Sequence, residues 1–176
     1  MRTLDMFILG GAMLAASPAS AESELVPGGF TVTNSATVAA APADVWAVLV
    51  RPAAYWNPDH GYSGVADNFM LEARAGGCFC ERLSGGGSVE HMRVVMVQPG
   101  RMLRLSGALG PLQSEALTGT LSWMLEPGED GGTRIRQIYK VAGHMSFAPD
   151  AIAPAVDGVL NEQLTRLAAQ VSAPAE

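Results

Sequence analysis

The chain has 176 residues, 48% hydrophobic and 16% charged, which suits one domain with a sizeable core and leaves little for a second. A net charge of −6 argues against nucleic acid as a partner, because that binding needs a basic face. The Lys and Arg residues are scattered, so no polybasic patch points to a membrane surface.

Arg2 opens the chain, and the apolar run 6–16 follows. Ser17-Pro18 breaks the run, and Ala19-Ser20-Ala21 has the small-x-small pattern of a signal peptidase site. Residues 1–21 are therefore expected to be a signal peptide, cleaved after Ala21. The apolar run is short for a bilayer span, so no stable membrane insertion is expected after cleavage. The mature chain is then periplasmic or secreted, with residues 22–29 as a polar lead-in.

Residues 30–40 (FTVTNSATVAA) alternate and read as a first strand. Pro42 suits the first turn of a helix, Asp44 favours its dipole, and Val45, Trp46, Val48 and Leu49 make an apolar stripe. Arg51-Pro52 ends that helix, and a second short helix or turn falls within 53–59. Strands follow at 68–73, 78–83, 89–98 and 101–106, with Gly76-Gly77, SGGGS (84–88) and Pro99-Gly100 as turns. Residues 107–115 (GALGPLQSE) form a loop that is apolar for a connection.

Residues 117–126 carry Leu117, Leu121, Trp123 and Leu125 on one side, with Thr118, Thr120 and Ser122 on the other. Residues 133–142 alternate likewise, with Ile135, Tyr139 and Val141 inward and Arg134, Arg136 and Lys140 outward. Two such neighbours imply an antiparallel sheet covered on one side. The cover is a long helix from about Pro154 to Val171, with Val156, Val159, Leu160, Leu164 and Leu167 at helical spacing. A curved sheet wrapped on such a helix tends to leave a cavity between the two, and small-molecule sites favour such places.

These elements, with the opening APADVWAVLVRPAAYWNPDH (41–60), the Gly76-Gly77 doublet and the PGEDGGT turn (127–133), resemble the SRPBCC (START-like, helix-grip) superfamily. The likeness covers residues 30–172. It is closest in character to the polyketide cyclase branch and to the branch named after the activator of a heat-shock chaperone ATPase, in an exported subgroup. The resemblance implies an α+β helix-grip fold: a curved antiparallel sheet of six or seven strands on a long C-terminal helix, with two short helices after the first strand. For function it implies less, because the superfamily includes carriers, receptors, cyclases, dehydratases and chaperone regulators. An exported chain has no ATP-driven client, which argues against the chaperone role.

Glu81 is the leading candidate for chemistry. Alternation with Phe79 puts it on the inner face of its strand, where a carboxylate needs a partner; a broken alternation near the hairpin would leave it at the rim. His91 sits across from it or diagonal to it on the next strand, and a Glu–His pair has the makings of a general base with its orienter. That strand is apolar on both faces, and if Met92, Val94 and Met96 face in, His91 is outside. His60 lies in the turn after Trp56 and Asp59. Glu81, His60 and His91 also have the ligand types of a two-His-one-carboxylate metal site, without local metal-motif spacing. Trp56, Tyr62, Phe79, Trp123 and Tyr139 are candidate walls of an apolar pocket, with Leu109 and Leu112 as its lid or lip.

Cys78 and Cys80 fall on one strand face with parallel side chains, so an intrachain bridge is disfavoured and packing as small hydrophobes is expected. No nucleophile elbow, phosphate loop or dinucleotide fingerprint is present, and no cofactor is expected. The expected function is binding or carriage of a small hydrophobic or aromatic molecule. The alternative is a cyclase, dehydratase or hydrolase using Glu81 with His60 or His91.

Overall fold

The computed structural model describes residues 17–173. The apolar run 6–16 lies outside them. Eight antiparallel strands form one sheet: β1 (Ser17–Val26), β2 (Gly29–Val38), β3 (Phe69–Leu71), β4 (Cys78–Arg82), β5 (Ser88–Gln98), β6 (Met102–Ser106), β7 (Ala116–Pro127) and β8 (Thr133–His144). Their order is β1-β2-β8-β7-β6-β5-β4-β3. Helix α1 (Pro42–Leu49) follows β2, and helix α2 (Pro149–Ser172) closes the fold against β2, β1 and α1. This is the expected α+β helix-grip architecture, with the first short helix followed by a 3₁₀ turn at Pro52–Ala54.

The core lies between sheet and α2. Phe30 and Val32 on β2, Leu121 and Trp123 on β7, Ile135 and Tyr139 on β8, and Leu160, Leu164 and Leu167 on α2 are all buried. The predicted alternation of β7 and β8 produces this face. Two buried amides interrupt it: Asn34 and Gln137 pair across β2 and β8, and Asn34 Nδ2 donates to Gln137 Oε1 at 3.1 Å. Burial raises the pKa of Asp157, on α2, and a hydrogen bond from Asn34 offsets part of that rise.

The structure departs from the expected elements in four places. The sheet has eight strands rather than six or seven, because the lead-in 22–29 belongs largely to an edge strand. β1 pairs with β2 through Glu22↔Thr33 and Leu25↔Phe30, turned by Pro27-Gly28 with Gly28 at φ +73°. Its residues 22–25 are exposed on both faces, so no burial pattern marks this stretch of the strand, and α2 packs against β1 as well. Helix α2 starts at Pro149 rather than near Pro154; Pro149 occupies the first turn, with Asp150 beside it.

Strand β5 carries two bulges. Phe79 pairs with Met92 while Cys80 pairs with Glu90, which makes His91 an extra residue on β5. Val94 pairs with Leu105 while Met96 pairs with Arg104, which makes Val95 a second one. Met96 is therefore exposed, while Met92 and Val94 are buried.

Cys78 and Cys80, expected to stay unbridged, are joined as a disulfide. Their Cα atoms are 5.5 Å apart, whereas two flat-strand steps would span roughly 6.6 Å. The strand is bent here, opposite the His91 bulge, and the shorter span lies within disulfide range. Cys78, Cys80 and Glu90 form the group of metal-ligand types among the described residues. With the sulfurs joined, it has no thiolate to offer.

Candidate functional site

The first bulge decides where the site forms. In a regular strand His91 and Met92 would point to opposite faces, but with His91 as the extra residue both are buried, His91 at 4% exposure. Glu81 on the neighbouring β4 is fully buried and inward, as its alternation with Phe79 implied. Nε2 of His91 lies 3.0 Å from Oε2 of Glu81.

Glu81 has further partners from a distant segment. The backbone N–H of Tyr62 donates to both carboxylate oxygens, at 3.1 and 3.0 Å, and the N–H of Ser63 donates to Oε1 at 2.5 Å. Burial alone would raise this carboxyl's pKa. Hydrogen bonds from Ser63, from the Tyr62 backbone and from His91 outweigh burial and hold it below the ordinary carboxylate value. An ionised carboxylate only accepts, so Nε2 of His91 must carry the proton. Burial lowers the pKa of His91, and the neighbouring Glu81 only partly restores it, so the ring is the neutral partner of an anion. Its Nδ1 has no protein hydrogen-bond partner among the described residues.

His91 is wedged among aromatic rings. Tyr62 stacks on it at 5.9 Å between centroids, Phe69 at 5.6 Å, and Phe79 lies tilted at 5.1 Å. Trp56 meets Phe79 edge-on at 5.0 Å. Such packing limits the ring's rotation and leaves one edge of His91 toward a cavity of about 380 Å³.

This cavity opens between α2 and the sheet's far end. Ile152, Val156, Val159 and Leu160 of α2 form one wall; Leu109, Pro111 and Leu112 form the opposite lip. Trp56, His60 and Tyr62 complete it on the turn side. From the sequence, the α2 residues are expected to cover the sheet. Their helical stripe marked them as buried without telling core from cavity wall.

Among the expected wall residues, Trp56, Tyr62, Leu109 and Leu112 line the cavity. Phe79 and Trp123 do not; they are core residues beside a small separate void of about 10 Å³. Tyr139 also lies behind the wall, where it supports the lip. Its hydroxyl accepts from the N–H of Leu109 at 3.0 Å and donates to the carbonyl of Gly107 at 3.3 Å, and burial pushes its pKa up to about 12. Trp56 Nε1 and Gln163 Nε2 are buried donors without a partner among the described residues.

His60 does not join Glu81 and His91. Its Nε2 lies 2.8 Å from Oε2 of Glu162 on α2, a partner the sequence did not suggest. Asn57 Nδ2 donates to the other Glu162 oxygen at 2.6 Å, and the Asn57 N–H donates to Gln163 Oε1 at 2.7 Å. The hydrogen bond from His60 is the main reason the Glu162 carboxyl is held below its ordinary pKa. These contacts fasten the turn 57–60 to α2 at the cavity mouth. Glu81 is meanwhile saturated by N–H donors. Thus the expected three-residue set splits, Glu81 and His91 forming a buried pair while His60 pairs with Glu162 at the rim, and no metal site forms from it among the described residues.

The lip 107–115 is pinned rather than free. The hydroxyl of Tyr62 donates to the carbonyl of Gly110 at 3.1 Å, Gln113 Nε2 donates to the Glu90 carbonyl at 2.6 Å, and Glu115 accepts from Ser146. Tyr62→Phe keeps the ring over His91 and removes one latch. Amide exchange within residues 109–112 is expected to accelerate several-fold, while global stability falls by only about 0.5–1 kcal/mol. Hydrogen exchange read by mass spectrometry checks this; unchanged exchange would mean the latch carries no weight.

A family model described as polyketide cyclase / dehydrase and lipid transport matches residues 29–172. A search of curated proteins found no sequence match. Among solved structures, the chain is similar to the Mll3558 protein of Rhizobium loti, at 21% identity and TM-score 0.60, over 86% of this chain and 99% of that one. It is similar to an uncharacterised Rhizobium leguminosarum protein at 19% identity and TM-score 0.59, over 88% and 98% of the two chains. Ara h 8.0201 is similar at 12% identity and TM-score 0.56, over 80% and 96%. At these identities the likeness is one of fold.

Proposed function

The chain belongs to the polyketide cyclase / dehydrase and lipid transport family, and from that premise and its cavity we propose that it binds or carries a small hydrophobic or aromatic molecule. The observation that supports this most is the cavity of about 380 Å³, walled by Val156, Val159, Leu160, Leu109 and Leu112. Its size falls in the range of small-molecule pockets, and largely apolar walls with a few polar groups, here Asp59, His60, Tyr62 and His91, are typical of them. We read the molecule as exported, on the signal-peptide pattern of residues 1–21; an intact mass that begins at Glu22 in material from the cell envelope would support this. Among the described residues, no helix is long and apolar enough to cross a membrane.

The experiment is mass spectrometry of molecules co-purified from native source, paired with binding of uncharged N-phenyl-1-naphthylamine. Val159→Trp should fill the cavity from the α2 wall. Displacing on the order of 100 Å² of apolar contact at about 25 cal/mol per Å² removes about 2.5 kcal/mol, nearly a hundredfold in affinity. An empty protein that ignores the probe, or a variant that binds as well as wild type, would defeat the proposal.

The Glu81–His91 pair favours a second reading, acid–base catalysis of the cyclase, dehydratase or hydrolase type. In that reading His91 is the base and Glu81 its orienter, since every Glu81 contact is already a donor to the carboxylate. His60 has no part in it, being committed to Glu162. Turnover of a co-purified ligand by wild type, lost in His91→Phe with ligand affinity retained, would establish it; binding without turnover would leave carriage.

A further inference from the structure

We propose that the Cys78–Cys80 disulfide is a thiol–disulfide exchange site, reduced and reformed in the folded protein by a dithiol partner, with Arg93 and Glu90 as the charges that set its rate. Neither the cavity nor the Glu81–His91 pair takes part in the exchange.

Cys78 and Cys80 alternate with Phe79 and Glu81 along β4. With those two turned to the core, the bridged sulfurs lie on the outer face of the sheet. Both cysteines are half-buried rather than sealed. Exchange needs a thiolate to reach one of the two sulfurs, and this face lies toward solvent.

The fold does not depend on the bond. In the chain-entropy account a disulfide stabilises more the longer the loop it closes, and this one joins residues only 2 apart in sequence. Strand β4 is held by other means. It lies between β3 and β5, pairing through Met70↔Cys80 on one side and Cys78↔Arg93 on the other. Phe79, between the cysteines, is buried and packs on Trp56, Phe69 and His91. Glu81 fastens the end of the strand to the N–H groups of Tyr62 and Ser63. Opening the S–S bond leaves the ladder and these buried side chains in place.

Two charges flank the sulfurs. Arg93 is the cross-strand partner of Cys78, and Glu90 that of Cys80. The Glu90 carboxylate lies within 4.8 Å of both sulfurs. Arg93 donates from Nη1 to the Gly76 carbonyl at 3.1 Å and pairs through Nη2 with Glu90. Its guanidinium favours the thiolate that attacks and the thiolate that leaves, whereas the carboxylate opposes both.

The exchange consumes only the dithiol. One of its thiolates attacks the Sγ of one cysteine, the S–S electron pair leaves on the other Sγ as a thiolate, and a mixed disulfide forms. The partner's second thiolate then attacks its own sulfur in that mixed disulfide and expels the cysteine thiolate. The partner ends as a disulfide, and Cys78 and Cys80 take up its two protons as thiols.

The test uses the full folded protein with dithiothreitol as the probe, quenched with iodoacetamide and read by intact mass. Label should appear on both cysteines at a rate proportional to dithiothreitol and unchanged by sub-denaturing urea. A disulfide reached only through unfolding would instead react faster as urea lowers stability. Oxidised glutathione should restore the bond once dithiothreitol is removed. Glu90→Gln should speed reduction about threefold and Arg93→Gln slow it about threefold, both effects shrinking as salt is added. A purely structural bridge would not show that pair of opposite shifts. The double variant Cys78→Ser, Cys80→Ser should still unfold cooperatively in urea.

Resistance to dithiothreitol in the absence of urea would overturn the proposal. So would a rate that climbs with sub-denaturing urea, loss of the folded state on reduction, or free thiols in protein purified without reductant. Equal rates in wild type and both charge variants would overturn the part assigned to Arg93 and Glu90.

Discussion

Replacing Glu81 by Ala should lower the unfolding free energy by about 3–5 kcal/mol, the largest single-site loss expected in this protein outside the central core. The side chain is fully buried and receives the N–H groups of Tyr62 and Ser63 together with His91. Removing it strands three donors where water has little access, at roughly 1–3 kcal/mol each, reduced by whatever relaxation the turn allows. Glu81→Gln keeps the volume and one acceptor oxygen and should cost about half as much. Urea denaturation measures both. A loss below about 1 kcal/mol for the Ala variant would mean that the carboxylate does not hold the 61–63 turn in place.

The same pair sets a pH dependence with a definite sign. His91 has a folded pKa below its ordinary 6.5, and Glu81 one below its ordinary 4.5. Each group therefore binds its proton more readily in the unfolded chain. Their contribution to stability is complete above about pH 6.5. It declines as pH falls below that, first through His91 and then, below 4.5, through Glu81, until the folded pKa values are passed. Asp157 acts in the opposite sense, since burial raises its folded pKa. The clean readout is accordingly a difference: the gap between wild type and Glu81→Gln should narrow steadily below pH 4.5.

Gly61→Ala should be nearly as damaging, although it adds a single methyl group. A Cβ at this position would meet the ring edge of Phe69 and come within 2.9 Å of Oε1 of Glu81. Neither neighbour has room to retreat: Phe69 is 3% exposed, and Glu81 is tethered on several sides. The turn must move away instead, which lengthens the Tyr62 and Ser63 hydrogen bonds. A destabilisation of about 2–3 kcal/mol is expected, at the upper end for overpacking. Binding of N-phenyl-1-naphthylamine should weaken in parallel, because Tyr62 carries both the ring over His91 and the latch to Gly110. Wild-type stability in this variant would mean that the turn can shift without loss. Glu81→Ala and Gly61→Ala act on one network, so the double variant should cost clearly less than the two losses added together.

The sequence by itself determined the elements whose side chains alternate between core and solvent. β7, β8 and the stripe of α2 were legible because burial repeats along them every two residues, or every three to four. The same rule placed Glu81 on the inner face through its neighbour Phe79. Together with the 41–60 and 127–133 stretches, it carried the fold class. The tertiary structure decided what has no side-chain period. β1 is an edge strand with both faces exposed over residues 22–25, so no side-chain period marks that stretch. The His91 bulge is a mismatch in strand pairing, which neither strand encodes alone, yet it turns the histidine inward beside Met92. The partners of Glu81 are backbone N–H groups brought from 18 and 19 residues away, and every non-proline residue carries such a donor. His60 found Glu162 for the same reason: 102 residues separate them, and only the docking of α2 makes them neighbours.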